Sequence, residues 1–574
     1  MAASLAGALV GCNGDIGDGQ HPAANPADGG TGAPPVGAPG EIAGEGGSGG
    51  TMNTGGTGAG GNVEPTGTGG KATADAGAGG NGAGGMGGPA ASDLVHGLAI
   101  SDVAIYQAVK VSLVNMGQAV TMTGTPLVRN RQALIRVFVT PAANWTPRPV
   151  VARLQWGTGA GASRDAMASI AGASADATIG TTFNFNLSAA DLVTPQVQWS
   201  LSLLEAPGGT GAGDTTGARI PADGTQVSLP TTDPGAALRI AFIPIRNANT
   251  LPDTSDAQIK FFTDAMMATY PVAKIEATVR DPIDFTSTIA AQGTGWDAAL
   301  NQVCMTRQTD NPDRNVFYFG LVTPGAFQTY CARGCVEGIA VLATNPNQDF
   351  MRCSMGVGYT NMGSGVFLQE VAHSMGRSHA PCGNPAQPDK NYPYAGGKIG
   401  VWGYDNIHQK LIDPTRTVDF MSYCSPTWIS DYTFAHLLPW IQSVNLLGPQ
   451  MDVTSSATTP ELASGAFPSE TAAGALPIVA PSTLHYPAAR WRVATVEWDG
   501  GVLWGPVMGF GALADGIAHA VVLRDAAGKQ VTVNGVLFPH SNTGGGMLLL
   551  PESAPAQVSA LQFGGSGFRS VRAQ

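Results

Sequence analysis

Residues 369–379, with the sequence Gln-Glu-Val-Ala-His-Ser-Met-Gly-Arg-Ser-His, constrain the fold of this chain more than any other stretch. Gln369 and His373 are four residues apart, so on a helix their side chains share one face, and Glu370 projects beside them. Two side chains on one helical face can bind one ion. The stretch therefore predicts a metal site built on a helix.

The end of the same stretch predicts how a third ligand reaches the ion. Gly376 is expected to end the helix, because glycine takes a left-handed conformation without a Cβ clash. The turn then brings His379 back toward the point that the helix faces. The spacing indicates a site with three protein ligands.

This stretch resembles the zinc signature of metzincin metalloendopeptidases, H-E-x-x-H-x-x-G-x-x-H. The matching positions are Glu370, His373, Gly376 and His379. Gln369 stands where the family has its first zinc histidine, and an amide oxygen is a poor zinc ligand beside an imidazole. The resemblance implies a Zn²⁺ ion held by the two histidines, with Gln369 as a weak or lost ligand and Glu370 as the general base.

A second stretch resembles the methionine turn that lies below the metal in this family. It runs Asp-Phe-Met-Ser-Tyr-Cys at residues 419–424. The resemblance implies that Met421 forms an apolar floor under the metal and that Tyr423 donates a hydrogen bond to the oxyanion. His408 and Asp389, between the two motifs, are possible substitutes for the missing ligand, although an ordinary solvent-facing role is the simpler interpretation of each.

The cysteines predict three disulfides. Apart from Cys12, all of them lie in the segment around the metal motif, at positions 304, 331, 335, 353, 382 and 424. An even number in an exported protein indicates disulfide pairing. Cys382 follows His379 by three residues and Cys424 follows Met421 by three, so we expect this pair to join the metal loop to the methionine turn. The other four cysteines allow three pairings, and the sequence does not choose among them.

The N-terminal residues predict export and anchoring. Residues 1–12 end in Leu-Val-Gly-Cys, which resembles the end of a bacterial lipoprotein signal, with Cys12 as the acylated residue. Residues 13–91 are nearly all Gly, Ala, Thr, Pro, Asn and Asp, a composition typical of a disordered tether. We expect a lipoprotein of the bacterial cell surface or outer membrane, or otherwise a secreted protein.

Charge and hydropathy limit the partners. The formal net charge is −12, with 29 basic residues and no Lys or Arg block, which argues against nucleic acid. No run reaches the roughly 20 apolar residues of a membrane-spanning helix. We expect a monomer that contacts the membrane only through its lipid and acts on extracellular proteins or glycoproteins.

The element pattern predicts a multidomain protein. We expect a β-sandwich at residues 92–233, an α/β (α+β) metzincin-like catalytic domain at 234–447, a linker at 448–481 and a second β-sandwich at 482–574. In the catalytic domain, Ser255 and Gln258 predict a capping box at the start of a helix. Residues 338–341 are either the sheet edge that binds extended substrate in this family or a core strand.

Two functions fit the sequence. The first is a surface-tethered zinc endopeptidase with a weakened metal site. The second is a degenerate protein of the same fold that binds polypeptide or glycan without cleaving it. Gln369 is the residue on which the choice depends.

Overall fold

The structure, a computed structural model, describes residues 93–120, 124–158, 162–209, 211–447, 486 and 488–573. These residues form one compact unit. The predicted signal end (1–12), tether (13–91) and linker (448–481) lie outside them. Across the described ranges, none of the helices is long and apolar enough to span a membrane.

Strands predominate in this part of the chain. The N-terminal region forms β1 (Leu98–Asn115), β2 (Gln118–Ala119), β3 (Ala133–Pro141), β4 (Arg148–Trp156), β5 (Ser163–Ile170), β6 (Phe183–Leu187), β7 (Gln196–Glu205), β8 (Arg219–Ile220) and β9 (Val227–Pro230). The middle region forms β10 (Leu238–Arg246), α1 (Asp256–Thr269), β11 (Ile275–Val279), β12 (Ile283–Asp284), α2 (Trp296–Asp310), β13 (Val316–Val322), α3 (Phe327–Tyr330), β14 (Gly338–Ala340), β15 (Cys353–Val357), α4 (Ser364–His373), β16 (Gly403–Asp405), β17 (Lys410–Ile412), β18 (Val418–Asp419), β19 (Thr427–Trp428) and α5 (Asp431–Asn445). The C-terminal region forms β20 (Ala489–Val496), β21 (Val502–Phe510), β22 (Ile517–Arg524), β23 (Gln530–Pro539), β24 (Gly546–Pro551), β25 (Ala560–Gln562) and β26 (Arg569–Ala573).

Two sheets in the N-terminal region share one hydrophobic core. One has the order β17-β16-β1-β3-β6 with β2 beside β1, and the other has the order β5-β4-β7-β8 with β9 beside β7. Alternate residues Phe183, Phe185 and Leu187 of β6 enter that core, as strand geometry requires. Strands β16 and β17 come from the middle region, and Tyr404 pairs with Ala108 of β1. The first sheet therefore draws on both sides of the boundary predicted at residue 233.

A mixed sheet with the order β11-β10-β13-β15-β14 forms the middle region. The first four strands are parallel, and β14 runs antiparallel to β15. On one face, Phe242 of β10 packs with Phe262 of α1 and Phe367 of α4. On the other face, Ile243 shares a core with Trp296 of α2. Helices thus cover both faces, which explains the continuous apolar sequence of β10.

The predicted capping box at the start of α1 is half wrong. Ser255 does cap the helix, since its Oγ accepts a hydrogen bond from the Gln258 amide at 3.4 Å. The Gln258 side chain does not reach back, because it donates to the carbonyl of Tyr359 and accepts from the amide of Asn361. That side chain therefore ties α1 to the loop that precedes α4.

The C-terminal β-sandwich prediction is wrong, because the seven strands close into a barrel with the order β20-β21-β26-β25-β22-β23-β24. Strand β20 pairs with both β21 and β24, and β26 adds to β21 in parallel, so the barrel has no free edge. Its Trp491, Phe538 and Leu549 enter the core that also contains Trp296 of α2. The barrel is packed directly on the middle region.

The structure pairs all six cysteines of the middle region, as predicted. Cys382 and Cys424 form the expected disulfide. Cys304 of α2 is joined to Cys353 of β15, and Cys331 to Cys335 in the segment between α3 and β14. The sequence does not choose the partners of these four cysteines, and the fold pairs those that lie next to each other.

Candidate metal and catalytic site

Helix α4 carries Gln369, Glu370 and His373 into the interior, where each residue is only 1% exposed. The helix is buried along its whole length, and the Tyr270 hydroxyl donates to the carbonyl of Leu368 at 2.5 Å. The neighbouring strand β14 approaches closely because it begins with Gly338, where a Cβ would come 2.7 Å from Cγ of Glu370. A glycine at this position therefore allows the strand to lie against the face of α4 that carries Glu370.

The helix ends in the turn that the sequence predicts. Gly376 has a φ of 76°, and a Cβ there would lie 2.6 Å from the Trp440 ring. The amide of Gly376 donates to the carbonyl of His373, and the amide of Arg377 donates to the carbonyl of Ala372. These two bonds form a Schellman motif, which satisfies the last carbonyls of the helix. The chain then reverses toward His379.

His373 and His379 meet below this turn. Their Nε2 atoms are 3.1 Å apart, and their rings are edge to face with centroids 4.5 Å apart. Nδ1 of His373 bonds the carbonyl of Arg377 at 2.6 Å, and Nδ1 of His379 bonds the carbonyl of Ala386 at 2.8 Å. A carbonyl oxygen only accepts hydrogen bonds, so both Nδ1 atoms carry the proton.

It follows that both Nε2 atoms of the neutral rings present lone pairs to each other. Burial lowers the pKa of His373 well below its ordinary value, and the neighbouring His379 lowers it further. Burial also lowers the pKa of His379. Two facing acceptors that resist protonation repel one another, and a cation bound to both removes that repulsion. The outer Nδ1-to-carbonyl bonds are the arrangement that usually orients metal-binding histidines.

Gln369 lies one helical turn before His373 on the same face. Its Nε2 atom is buried without a hydrogen-bond partner. An orphaned amide nitrogen therefore belongs to the residue that is predicted as the third ligand, and a flip of the amide would exchange this nitrogen for the oxygen. The donor set therefore fits a cation with two strong ligands and one weak ligand.

The structure places the two suggested substitutes elsewhere. Asp389 accepts hydrogen bonds from Arg377 and from the Tyr432 hydroxyl. His408 bonds Asp405, and its side chain is 64% exposed. In the described ranges, the one group of three His, Cys, Asp or Glu side chains close enough to share an ion is Cys331, Cys335 and Glu337. Its two cysteines form a disulfide, which removes their thiolates as ligands.

The predicted methionine turn lies against the second histidine. Met421 is buried, its carbonyl accepts the amide of Ala380, and the Tyr423 ring packs edge to face on His379 with centroids 4.9 Å apart. The disulfide between Cys382 and Cys424 joins the same two segments. The methionine turn and the metal loop therefore form one cross-linked unit.

Asp419 holds the methionine turn in shape, a role that the sequence reasoning missed. This fully buried carboxylate accepts the amide of Met421 at 2.8 Å and the amide of Ser430 at 2.9 Å. The sequence does contain a signal for this role. The side chain of an aspartate in a turn commonly accepts a hydrogen bond from the backbone amide two residues later.

Glu370 has partners that no local motif indicates. Oε2 accepts the Ser541 hydroxyl at 3.0 Å, and Oε1 accepts Nδ2 of Asn542 at 2.9 Å. Burial raises the pKa of Glu370 to about 8, and these two hydrogen bonds oppose the rise. Tyr423 also donates to Oδ1 of Asn542 at 2.6 Å. The C-terminal barrel therefore contributes two residues to a site otherwise built from the middle region.

Residues 340–427 match the Peptidase M66 family, a family of metallopeptidases. The matched range contains α4, both histidines and the methionine turn. No curated protein gives a significant match to the chain. The family match supports a metal-dependent peptidase in this part of the chain.

Proposed function

We propose that this chain is a zinc metalloendopeptidase with a metzincin-like α/β catalytic domain. The observation that supports it best is the pair of buried, neutral imidazoles whose Nε2 atoms face each other at 3.1 Å. Beside them lies the buried carboxyl group of Glu370. The match of residues 340–427 to a metallopeptidase family adds independent support.

His373 and His379 would hold the metal, with the Gln369 amide oxygen as a weak third ligand. A bound zinc ion would act as a Lewis acid on a peptide carbonyl and lower the pKa of a water molecule. Imidazole nitrogen suits zinc, whereas an all-oxygen set would favour magnesium or calcium. Met421 would provide an apolar floor below the metal.

Glu370 would serve as the general base. It would take a proton from the attacking water and return it to the leaving amine. Burial raises the pKa of Glu370 in the metal-free site, and a cation bound beside it would favour the ionised carboxylate, which is the form that a general base needs. Tyr423, beside His379, would donate a hydrogen bond to the carbonyl oxygen as negative charge develops there.

The substrate would be an extracellular protein or glycoprotein. We propose that the protein is exported and held at a bacterial cell surface by a lipid on Cys12, or otherwise secreted. The three disulfides support an oxidising compartment. The acidic net charge of −12 disfavours nucleic acid as a partner.

A second candidate function is binding without cleavage. Gln369 favours it, because a neutral amide in place of a third imidazole lowers zinc affinity. In that case the cleft would hold polypeptide or glycan, and the wild-type chain would show neither stoichiometric zinc nor turnover.

The test is metal content and peptide cleavage by the purified full chain. We expect about one zinc per chain after dialysis against trace zinc, and cleavage of a fluorogenic peptide pool. Glu370→Gln should retain zinc and lose cleavage by about 100-fold or more, whereas His373→Ala should lose both. Undiminished cleavage by Glu370→Gln would overturn the assigned mechanism. Absence of zinc and of turnover from wild type, with both restored in Gln369→His, would favour the binding function.

A further inference from the structure

The loop between β23 and β24, residues 540–545, contacts Glu370, where the proposed function places the substrate cleft. We call it the cleft loop. It belongs to the C-terminal barrel, yet Ser541 and Asn542 donate to both carboxylate oxygens of Glu370. We propose that the cleft loop is an autoinhibitory plug that imitates a bound peptide substrate, an inference that rests on the proposed function.

The backbone of the plug follows the strand that a substrate would use. Strand β14 pairs with β15 on one side. On its other side, the Ser541 amide donates to the carbonyl of Ala340 at 2.8 Å, and the Leu342 amide donates to the carbonyl of Pro539 at 3.2 Å. His540 forms an antiparallel bridge with Val341. The chain thus adds to the sheet edge as an extended peptide would, so a substrate strand and the cleft loop compete for one edge.

In the proposed mechanism, the Asn542 side chain lies where the peptide bond to be cleaved would lie. A primary carboxamide offers the carbonyl oxygen and the N–H of a peptide bond. Its Oδ1 accepts from Tyr423 at 2.6 Å, and its Nδ2 donates to Glu370 at 2.9 Å and to the carbonyl of Gly338 at 3.1 Å. The amide oxygen is therefore hydrogen-bonded to Tyr423, which is proposed to stabilise the oxyanion. The amide nitrogen is hydrogen-bonded to Glu370, the proposed base.

The plug is anchored outside the cleft. Asp297, in the first turn of α2, is 1% exposed. Its Oδ1 accepts Nδ1 of His540 and the Thr543 hydroxyl, each at 2.7 Å, and its Oδ2 accepts the amide of Trp498 at 3.0 Å. A side chain on Gly545 would clash with the same carboxylate. The anchor can therefore be weakened without a change in the residues of the catalytic site.

The opposite interpretation is that Asn542 positions Glu370 and Tyr423 for catalysis. The two interpretations predict opposite signs when Asn542 is removed. A plug blocks substrate, so its removal raises activity and peptide affinity. A positioning residue supports catalysis, so its removal lowers activity. The contacts with Glu370 favour the plug, because Ser541 and Asn542 together engage both oxygens that a base must keep available.

The test uses the full chain, zinc-loaded, in wild type, Asn542→Ala and Thr543→Val. We measure kcat/KM on the fluorogenic pool and the Kd of a labelled hexapeptide hydroxamate by fluorescence anisotropy. Asn542→Ala should raise kcat/KM and tighten the hydroxamate Kd by about tenfold or more, a change of roughly 1.4 kcal/mol. Thr543→Val removes one anchor bond and should shift both in the same direction by a smaller factor. Lys529→Ala, in the exposed turn between β22 and β23, is the matched control and should change neither.

The outcomes separate this proposal from the proposed function. Tighter peptide binding in Asn542→Ala and Thr543→Val supports the plug even if no variant cleaves, a result that would remove only the peptidase function. Unchanged or weaker binding and activity in both variants would overturn the plug. A loss of activity confined to Asn542→Ala, with peptide affinity unchanged, would also overturn it and assign Asn542 as a positioning residue.

Discussion

Ser541 donates its hydroxyl hydrogen to Oε2 of Glu370 across 171 residues of sequence, at a distance of 3.0 Å. The bond joins the C-terminal barrel to helix α4 at a carboxyl group that is almost completely buried. Burial removes the water that would stabilise the ionised carboxylate, and hydrogen bonds from the neutral donors Ser541 and Asn542 replace only part of that stabilisation. Burial therefore raises the pKa of Glu370 to about 8.

The first prediction concerns the pH dependence of stability in metal-free protein. The carboxyl ionises near its ordinary value of 4.5 in the unfolded chain and near 8 in the folded chain. Between these values the folded state binds more protons at this carboxyl group, so its contribution to the free energy of unfolding should fall as pH rises. Glu370→Gln cannot ionise and should flatten that part of the profile.

Urea titrations from pH 5 to 9, in the presence of a chelator, measure this slope. The matched control is Glu552→Gln, a partly exposed glutamate on the barrel paired with Arg490, which should keep the wild-type profile. A Glu370→Gln profile that runs parallel to wild type would contradict the raised pKa.

The second prediction concerns the weak ligand. Gln369→His adds an imidazole one helical turn before His373, so zinc affinity should rise by at least roughly 10- to 100-fold, the effect of changing a residue that only hydrogen-bonds a metal ligand. Competition with a chromophoric chelator measures it. The control is His408→Ala, which removes an exposed histidine and should leave the affinity unchanged. Equal affinity in wild type and Gln369→His would show that position 369 does not face the metal.

The third prediction concerns the turn after α4. Gly376→Ala forces a Cβ onto a φ of 76° and toward the Trp440 ring. We expect a loss of about 1–3 kcal/mol in the free energy of unfolding and weaker zinc binding, because the turn aims His379. Gly511→Ala is the control, since a Cβ there meets nothing within 4 Å. Equal losses in the two variants, measured by urea unfolding, would contradict a special role for Gly376.

Local sequence accounts for most of the metal site. The four-residue spacing of Gln369 and His373 and the glycine at 376 predict a helix and a left-handed turn, because both depend on residues that are neighbours in the chain. The apolar runs of β10 and β13 likewise predict strands. Helix α5 is buried through Phe434, Leu437, Leu438, Ile441 and Val444, which stand at helical spacing. Pro439 within it is typical of a helix break and obscures that pattern.

Long-range contacts account for what sequence did not predict. The barrel closes because β26 pairs in parallel with β21, a register that no local pattern encodes. Ser541 and Asn542 resemble ordinary turn residues in the sequence, and only the packing of the barrel on α2 brings them to Glu370. Contacts between segments this far apart in the sequence therefore become apparent only in the assembled fold.

The last prediction concerns the disulfide between Cys382 and Cys424, which are 42 residues apart in the sequence. Replacement of both by serine frees the unfolded chain, and we expect a loss of roughly 2–4 kcal/mol in the free energy of unfolding. Serine replacement of Cys331 and Cys335, only 4 residues apart, is the control and should cost less, because a shorter loop restricts the unfolded chain less. The first variant should also bind zinc more weakly, since the cross-link fixes the methionine turn against the loop of His379. Equal zinc affinity in the two double variants, measured by chelator competition, would show that the backbone bonds between Ala380 and Met421 and between Cys382 and Tyr423 suffice to hold the site.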